Sequence, residues 1–183
     1  MAKVFLFLAD GFEEIEGLTV VDVLRRGDVD ITTVSVTGKP EINGSHGIKV
    51  MADILFENAD FSEGDMAVLP GGLRGTAALI EHSGVAGVIK EYYEAGKYVA
   101  AICAAPTVLG KYGILTGKRA TCYPGKEEQL FAGEYVSDEK VVRDGKVITS
   151  RGMGTSLDFA LALLKELAGE ERMEKVGRAV LFI

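Results

Sequence analysis

Short, almost wholly apolar runs alternate along the chain with longer stretches whose apolar residues recur every three or four positions. The apolar runs are typical of strands buried on both faces of a parallel sheet, and they lie at 4–8, 65–69 and 99–103. Helical spacing follows each run, from Glu13 to near Gly27, over 76–80 and 83–95, and from Pro106 to about Tyr112. This alternation predicts a doubly wound α/β sandwich: a mostly parallel sheet with helices on both faces.

The remaining segments fit the edges and the end of such a sheet. They are a β-branched strand at 30–36, hairpins at 41–50 and 141–150 with Asn43-Gly44 and Asp144-Gly145 turns, a short strand at 119–124, and helices at 157–168 and from 170. We expect the apolar tail Val180–Ile183 to dock on the fold. No linker or repeat interrupts the pattern, so residues 1–183 are predicted to form a single domain.

Composition narrows the class of protein. With 20 basic and 27 acidic residues the formal net charge is −7, which argues against a nucleic-acid footprint. No apolar run is long enough to span a bilayer, and the N-terminal run is too short for a signal peptide, so we expect no membrane contact and a cytoplasmic location. Both cysteines are then expected as thiols. The two cysteines and two histidines are scattered without metal-ligand spacing, so no metal is expected.

Cys103 lies where the third buried run stops and Pro106 begins a helix. A side chain in such a strand-to-helix turn projects from the end of a parallel sheet, which is where elbow nucleophiles lie. The nearby helix start is expected to favour thiolate over thiol. The alternative is an inert buried cysteine, the commoner role of a free thiol.

Other polar or glycine-rich positions follow neighbouring strands, where ligands bind in open α/β sheets. In the acidic first turn of the first helix, Glu16 is a candidate to point inward, although helix-dipole complementation explains part of the acidity. Gly71 and Gly72 end the second buried run, and backbone N–H groups of Gly72 and Ala104 could form an oxyanion hole.

Four further side chains have open roles. Tyr123 is either a core aromatic or a pocket hydroxyl. Arg151 is a possible pocket residue that could bind a carboxylate such as Asp22, and the alternative is a surface arginine. His46 is expected as an exposed hairpin residue, with a role at a subunit interface near the site as the alternative. Cys122 is expected to be buried in its short strand.

Four motifs occur in the order seen in the DJ-1/ThiJ/PfpI superfamily, and the sequence most resembles its DJ-1 branch. The motifs are Asp10-Gly11-Phe12-Glu13-Glu14-Ile15-Glu16, Leu69-Pro70-Gly71-Gly72, Ala101-Ile102-Cys103-Ala104-Ala105-Pro106 and 149–156, Thr-Ser-Arg-Gly-Met-Gly-Thr-Ser. The resemblance implies a flavodoxin-like homodimer in which Cys103 is the elbow cysteine and Glu16 hydrogen-bonds its sulfur. It also implies that Gly72 and Ala104 are the backbone donors.

The same resemblance implies a choice of activities. One is cofactor-independent conversion of methylglyoxal or glyoxal, small 2-oxoaldehydes, to a hydroxy acid, with deglycase activity on glycated molecules as a related possibility. Another is oxidation sensing or redox-dependent chaperoning through the same cysteine. A binding domain with an inert cysteine is the third hypothesis.

Two residues depart from patterns within the superfamily. The PfpI branch has histidine after the cysteine, where this chain has Ala104, which argues against a peptidase or a Cys-His-Glu glutaminase. Many DJ-1 relatives have a histidine before a proline where this chain has Tyr123-Pro124. Tyrosine, with a pKa near ~10, is a poor base at neutral pH but can donate a hydrogen bond.

Overall fold

A seven-stranded sheet forms the centre of the computed structural model, which describes all 183 residues. Its strands are β1 (Lys3–Leu8), β2 (Asp30–Ser35), β5 (Ile54–Leu55), β6 (Met66–Leu69), β7 (Tyr98–Ile102), β10 (Val141–Asp144) and β11 (Val147–Ser150). Their order is β10-β11-β7-β6-β1-β2-β5, and every neighbouring pair is parallel except the β10–β11 hairpin. The predicted mostly parallel α/β sheet is confirmed.

Helices cover both faces of this sheet. They are α1 (Glu14–Arg26), α2 (Leu73–Glu81), α3 (Ser83–Glu94), α4 (Pro106–Lys111), α5 (Ser156–Ala168) and α6 (Glu170–Ala179). One apolar core lies under α1, α5 and α6, and a second lies under α2, α3 and α4. Alternate residues of each central strand enter opposite cores, which explains why these strands are apolar throughout.

Two small sheets flank the main one. The first joins β3 (Glu41–Asn43) to β4 (Lys49–Met51) as the predicted hairpin, and the second joins β8 (Arg119–Ala120) to β9 (Glu134–Tyr135). The strand predicted over 119–124 is therefore too long. After Ala120 the backbone leaves the ladder because the Thr121 N–H donates to the Thr149 hydroxyl and the Tyr123 N–H to the Cys103 carbonyl.

The C-terminal tail docks only in part: Val180 packs against the core under α1, α5 and α6, whereas Leu181 does not. Leu181 adopts a φ of 58° and is 92% exposed, and the Phe182 N–H donates to the Gly177 carbonyl. This turn folds the backbone onto α6, so Ile183 approaches Gly177 while the Leu181 side chain faces away.

No helix in the structure has both the length and the apolar character needed to cross a bilayer.

The carboxyl ends of β1, β6, β7 and β11 meet at one edge of the sheet because all four strands are parallel. The segments that follow them include the first turn of α1, the Gly71-Gly72 loop and the Cys103 turn. The sheet therefore brings together segments that are distant in sequence.

Candidate functional site

Cys103 occupies a strained turn directly after β7. Its φ is 65°, in the left-handed region that L-residues other than glycine rarely adopt. Backbone bonds hold the turn on two sides: the Cys103 N–H donates to Ser150 at 3.0 Å, and its carbonyl accepts from Tyr123 at 2.7 Å. Backbone strain of this kind costs about 1–3 kcal/mol and clusters at functional sites.

Glu16 extends from the first turn of α1 to the cysteine and is 1% exposed. Its Oε2 accepts a hydrogen bond from the Gly71 N–H at 2.9 Å, and its carboxyl group lies beside the Cys103 thiol, whose interaction lowers the carboxyl pKa. The other carboxyl oxygen, Oε1, is buried without a hydrogen-bond partner. A buried carboxyl with so few partners favours the neutral form.

The electrostatics of this pair follow from burial. Burial raises the pKa of Glu16 to about 7, against the opposing hydrogen bonds from Cys103 and Gly71. Burial, followed by the charge and hydrogen bond of Glu16, raises the pKa of Cys103 to about 12, although the N–H groups of Gly72 and Ala104 lower it. Between these two values the pair holds one proton.

The expectation that this turn favours thiolate over thiol is therefore wrong for the free protein. Helix α4 has six residues, and burial together with the Glu16 carboxylate outweighs any effect of its N-terminus. What the turn supplies is position, since the N–H groups of Gly72 and Ala104 lie close enough to the sulfur to lower its pKa.

The two loop glycines leave no space for a side chain. A Cβ at Gly71 would lie 2.5 Å from the Cys103 Cβ and 2.5 Å from Glu16 Oε2. Gly72 has a φ of 89°, and a Cβ there would lie 2.3 Å from the Gly11 carbonyl oxygen. The loop can therefore approach the cysteine this closely only as Gly-Gly.

A cavity of about 440 Å³ opens above the sulfur. It is lined by Gly11, Glu13, Ser45, His46, Gly72, Leu73, Arg74, Cys103, Ala104 and Tyr123. Tyr123 is 52% exposed, so of the two roles left open by the sequence the structure favours the pocket over the core. Gly71 lies beneath this cavity, between Cys103 and Glu16.

Arg151 does not line the cavity. Its Nε is buried without a hydrogen-bond partner. The suggested pairing with Asp22 is wrong, because the Asp22 carboxylate binds Arg26 at 2.6 Å, one helical turn away on α1.

The β3–β4 turn supplies a wall of the cavity that sequence reasoning missed. Glu14, 3% exposed, accepts from the His46 N–H at 2.7 Å, from the Ser45 hydroxyl at 3.0 Å and from the His46 imidazole at 3.1 Å. The His46 imidazole is exposed, but its hydrogen bond to Glu14 holds it in place. One sequence signal was available: three acids in the first turn of α1 exceed what the helix dipole requires.

Glu13, Glu14 and His46 place ligand-type atoms within 4.8 Å of one another. These atoms already form a hydrogen-bonded network, in which the single hydroxyl proton of Ser45 lies between Glu13 and Glu14, at 3.0 Å from Oγ to each carboxylate, and Glu14 also accepts from His46. The cluster is accounted for as the anchor of the β3–β4 turn.

Cys122 differs from Cys103 in its exposure. It is fully buried in the core under α2, α3 and α4, and burial raises its pKa to about 11. The expected burial is confirmed, although the residue lies beyond the end of β8.

The chain is similar to known proteins over most of its length. It matches the DJ-1/PfpI family over residues 2–166. Protein dj-1beta of Drosophila melanogaster is 40% identical over 177 residues, covering 96% of this chain and 95% of that protein. The glutathione-independent glyoxalase DJR-1.2 of Caenorhabditis elegans is 32% identical over 161 residues, covering 87% and 85%.

Solved structures show the same fold. The crystal structure of Drosophila melanogaster DJ-1beta has a TM-score of 0.95 at 39% identity, covering 100% of this chain and 98% of that one. A structure of Toxoplasma gondii DJ-1 in an oxidized form has a TM-score of 0.95 at 31% identity, covering 100% and 99%. The resemblance seen in the four motifs is confirmed, and this chain belongs to the DJ-1/PfpI family.

Proposed function

We propose that the protein is a cofactor-independent glyoxalase, which converts a 2-oxoaldehyde such as methylglyoxal or glyoxal to a 2-hydroxy acid. The observation that supports this most is the buried Glu16 carboxyl group beside the half-buried Cys103 thiol, beneath an open cavity. The family includes a glutathione-independent glyoxalase, with 32% identity to this chain. Deglycase-type substrates would use the same cysteine.

The first step forms a hemithioacetal. Glu16 takes the thiol proton while the sulfur bonds to the aldehyde carbon, C1, and the carbonyl electron pair moves to oxygen. The N–H groups of Gly72 and Ala104, which lie near the sulfur, would stabilise this oxyanion. Glu16 then returns its proton to the oxygen.

The second step is an internal redox reaction. Glu16 takes the C1 proton to give an enediolate and delivers a proton to C2, while the C1 hydroxyl proton moves to the C2 oxygen. C1 is oxidised to a thioester as C2 is reduced to an alcohol, so no external oxidant or reductant is needed. Water adds to C1, the C–S bond breaks, and the thiol regains its proton. A carboxyl group with a pKa near 7 suits repeated proton transfer at neutral pH.

The test is lactate formation from methylglyoxal by the purified protein in the absence of glutathione. We expect turnover in the wild type and none in Cys103→Ala, with Cys122→Ala as the matched cysteine control that retains activity. Lactate formation at equal rates in Cys103→Ala and the wild type would exclude the proposed mechanism.

A second candidate function, oxidation sensing linked to a redox-dependent chaperone role, uses the same cysteine. It is supported by the contrast between the accessible Cys103 and the fully buried Cys122, and by the oxidized form of the Toxoplasma relative. Peroxide would convert Cys103 to the sulfinate, held by the same N–H groups. Mild peroxide followed by intact-mass measurement would argue against this function if Cys122 gained oxygen as readily as Cys103.

A wild type that forms no lactate and whose Cys103 resists both oxidation and alkylation would favour the third hypothesis, an inert cysteine.

We also propose that the chain forms a homodimer through an exposed apolar groove on α1. Ile15 is 50% and Ile48 54% exposed, and they border a groove that also includes Leu18 and Val180. Exposed apolar patches of this kind mark interaction surfaces. Light scattering should give twice the 19.5 kDa chain mass for the wild type and the chain mass for Leu18→Glu; a monomeric wild type would refute the proposal.

A further inference from the structure

The cavity is larger than the simplest substrate requires. Methylglyoxal has five heavy atoms, and at about 30 Å³ each, the share of a water molecule in the liquid, these occupy roughly 150 Å³. About two-thirds of the 440 Å³ cavity would remain empty. The residues lining the remainder therefore determine what else a substrate can contain.

Arg74 is the unpaired cation of this lining. Most arginines of the acidic chain pair with carboxylates, as in Arg25–Asp53, Arg26–Asp22, Arg119–Glu139, Arg143–Glu166, Arg172–Asp28 and Arg178–Glu174. The exposed Arg74 guanidinium has no hydrogen bond or ion pair within the chain. A free guanidinium presents a planar array of donors that matches carboxylate and phosphate oxygens.

The base of this side chain is held in place by the site itself. A Cβ at Gly11 would lie 2.5 Å from the Arg74 Cβ, so the two segments pack together only because Gly11 has no side chain. The Gly75 N–H donates to the Gly11 carbonyl at 3.2 Å and the Thr76 N–H to Gly72 at 2.8 Å. Arg74 thus starts from a fixed point on the rim, and only its long side chain is free to move.

Two side chains of the cavity lining have free donors, Arg74 and Tyr123, whereas the Glu13 carboxylate is engaged by the β3–β4 turn. Glu13 accepts from the Ser45 hydroxyl at 3.0 Å and lies 3.7 Å from the His46 imidazole, which also binds Glu14. The Arg74 guanidinium and the Tyr123 hydroxyl make no such bonds. These free donors are complementary to a ligand group that is rich in acceptors.

We infer that Arg74 forms an oxyanion subsite, so that the preferred substrate is a 2-oxoaldehyde that also contains a carboxylate or phosphate group. The aldehyde carbon lies at Cys103, and the anionic group binds Arg74, away from the Glu13 and Glu14 carboxylates. This inference rests on the proposed function for the identity of the reacting group, but the anion preference of the cavity can be measured without turnover.

The direct test compares two alkylating reagents of similar size, iodoacetate and iodoacetamide, at Cys103. In both reactions a C–S bond forms and iodide leaves. The rate constant for iodoacetate divided by that for iodoacetamide therefore reports the preference of the cavity for a negative charge. We expect this ratio to fall about three-fold in Arg74→Gln, the scale of one exposed ion pair, and to recover in Arg74→Lys. Arg172→Gln, with the same charge change outside the cavity, controls for net charge.

An unchanged ratio in Arg74→Gln, or an equal fall in Arg172→Gln, would overturn the inference. Inorganic phosphate and acetate, added separately at constant ionic strength, distinguish the two oxyanions by which of them slows the iodoacetate reaction more. Turnover of phenylglyoxal against its 4-carboxy derivative then tests the substrate class, with a higher kcat/KM expected for the acid. If no 2-oxoaldehyde is turned over but the alkylation ratio depends on Arg74, the proposed function fails and the subsite stands.

Discussion

Glu14 and Glu16 lie two residues apart in the first turn of α1, and both are buried, yet their carboxyl groups behave in opposite ways. Burial raises the pKa of Glu14, but hydrogen bonds from its own N–H, from the His46 N–H and imidazole and from Ser45 outweigh it and lower the pKa to about 2. Glu16 receives bonds from Gly71 and Cys103 alone, and burial raises its pKa to about 7.

The comparison shows that the number of hydrogen-bond donors and the depth of burial together decide whether such a carboxyl stays charged, since Glu14 lies just beneath the exposed β3–β4 turn and Glu16 lies deeper in the protein. Glu14 faces the β3–β4 turn, whose backbone and side chains supply donors, so its charge is fixed and its role is to hold that turn. Glu16 faces the sulfur with one unpaired oxygen, so its proton can move. The two roles are set by which face of α1 each side chain occupies.

Among substitutions of these two carboxyl groups, Glu16→Gln is expected to have the largest effect, and the effect is on catalysis. An amide keeps the size of the side chain and can still accept from the Gly71 N–H, but it cannot exchange a proton with Cys103. We expect kcat/KM for lactate formation from methylglyoxal to fall by at least about 100-fold, the scale of a lost general acid–base group, with an unchanged far-UV spectrum. Activity within a few-fold of the wild type would remove Glu16 from the mechanism.

The matching substitution of the other carboxylate, Glu14→Gln, should reduce the stability of the fold rather than the catalytic rate. The amide loses the charge that strengthens the bonds from His46 and Ser45 and places an N–H₂ group against donors. We expect a loss of about 2 kcal/mol in the free energy of unfolding at pH 7, measured by urea denaturation.

The contribution of the Glu14 carboxylate to the free energy of unfolding should depend on pH in one direction. The folded-state pKa of Glu14 is below its ordinary value of 4.5, so its stabilisation is present above that pH and is lost as the pH falls towards about 2. The difference between wild type and Glu14→Gln should therefore shrink between pH 4.5 and pH 2. A difference that stays constant over this range would contradict the assigned cause.

A smaller effect of opposite sign is expected for the stability of Glu16→Gln. The folded-state pKa of Glu16 is above 4.5, so its contribution is fully present below pH 4.5 and is lost as the pH rises through about 7. We expect the amide variant to exceed the wild type by about 1–2 kcal/mol at pH 8, since burying a carboxylate with few partners is unfavourable, and to match it below about pH 4. Equal stability at both pH values would show that the Glu16 carboxylate is better solvated than its surroundings indicate.

The sequence was sufficient to predict the sheet and the position of the elbow. Apolar runs that end at Leu69 and at Cys103 are local patterns, and parallel strands necessarily bring their carboxyl ends to one edge. Glu16 could be singled out from its position in an acidic first turn. These features depend on residues close in sequence or on the topology of the whole sheet.

The contribution of the β3–β4 turn could not be predicted in the same way. His46 reaches the cavity because Glu14 binds its backbone N–H from 32 residues away, and no periodic pattern encodes that contact. The protonation state of Cys103 was also wrong from sequence, because the helix start was visible and the depth of burial beside Glu16 was not. Long-range polar contacts and desolvation are properties of the packed structure.

The most direct test of the shared proton is the pH dependence of Cys103 alkylation by iodoacetamide, measured from pH 5 to pH 10. Between the two pKa values the pair contains one proton, either as carboxylate and thiol or as carboxylic acid and thiolate, and this is the reactive form. We expect the wild-type rate constant to rise with pH, with a midpoint near pH 7. In Glu16→Gln we expect that rise to be absent and the rate constant to increase only at higher pH. A midpoint near pH 7 that persists in Glu16→Gln, or a wild-type rate that does not change below pH 9, would contradict the shared proton.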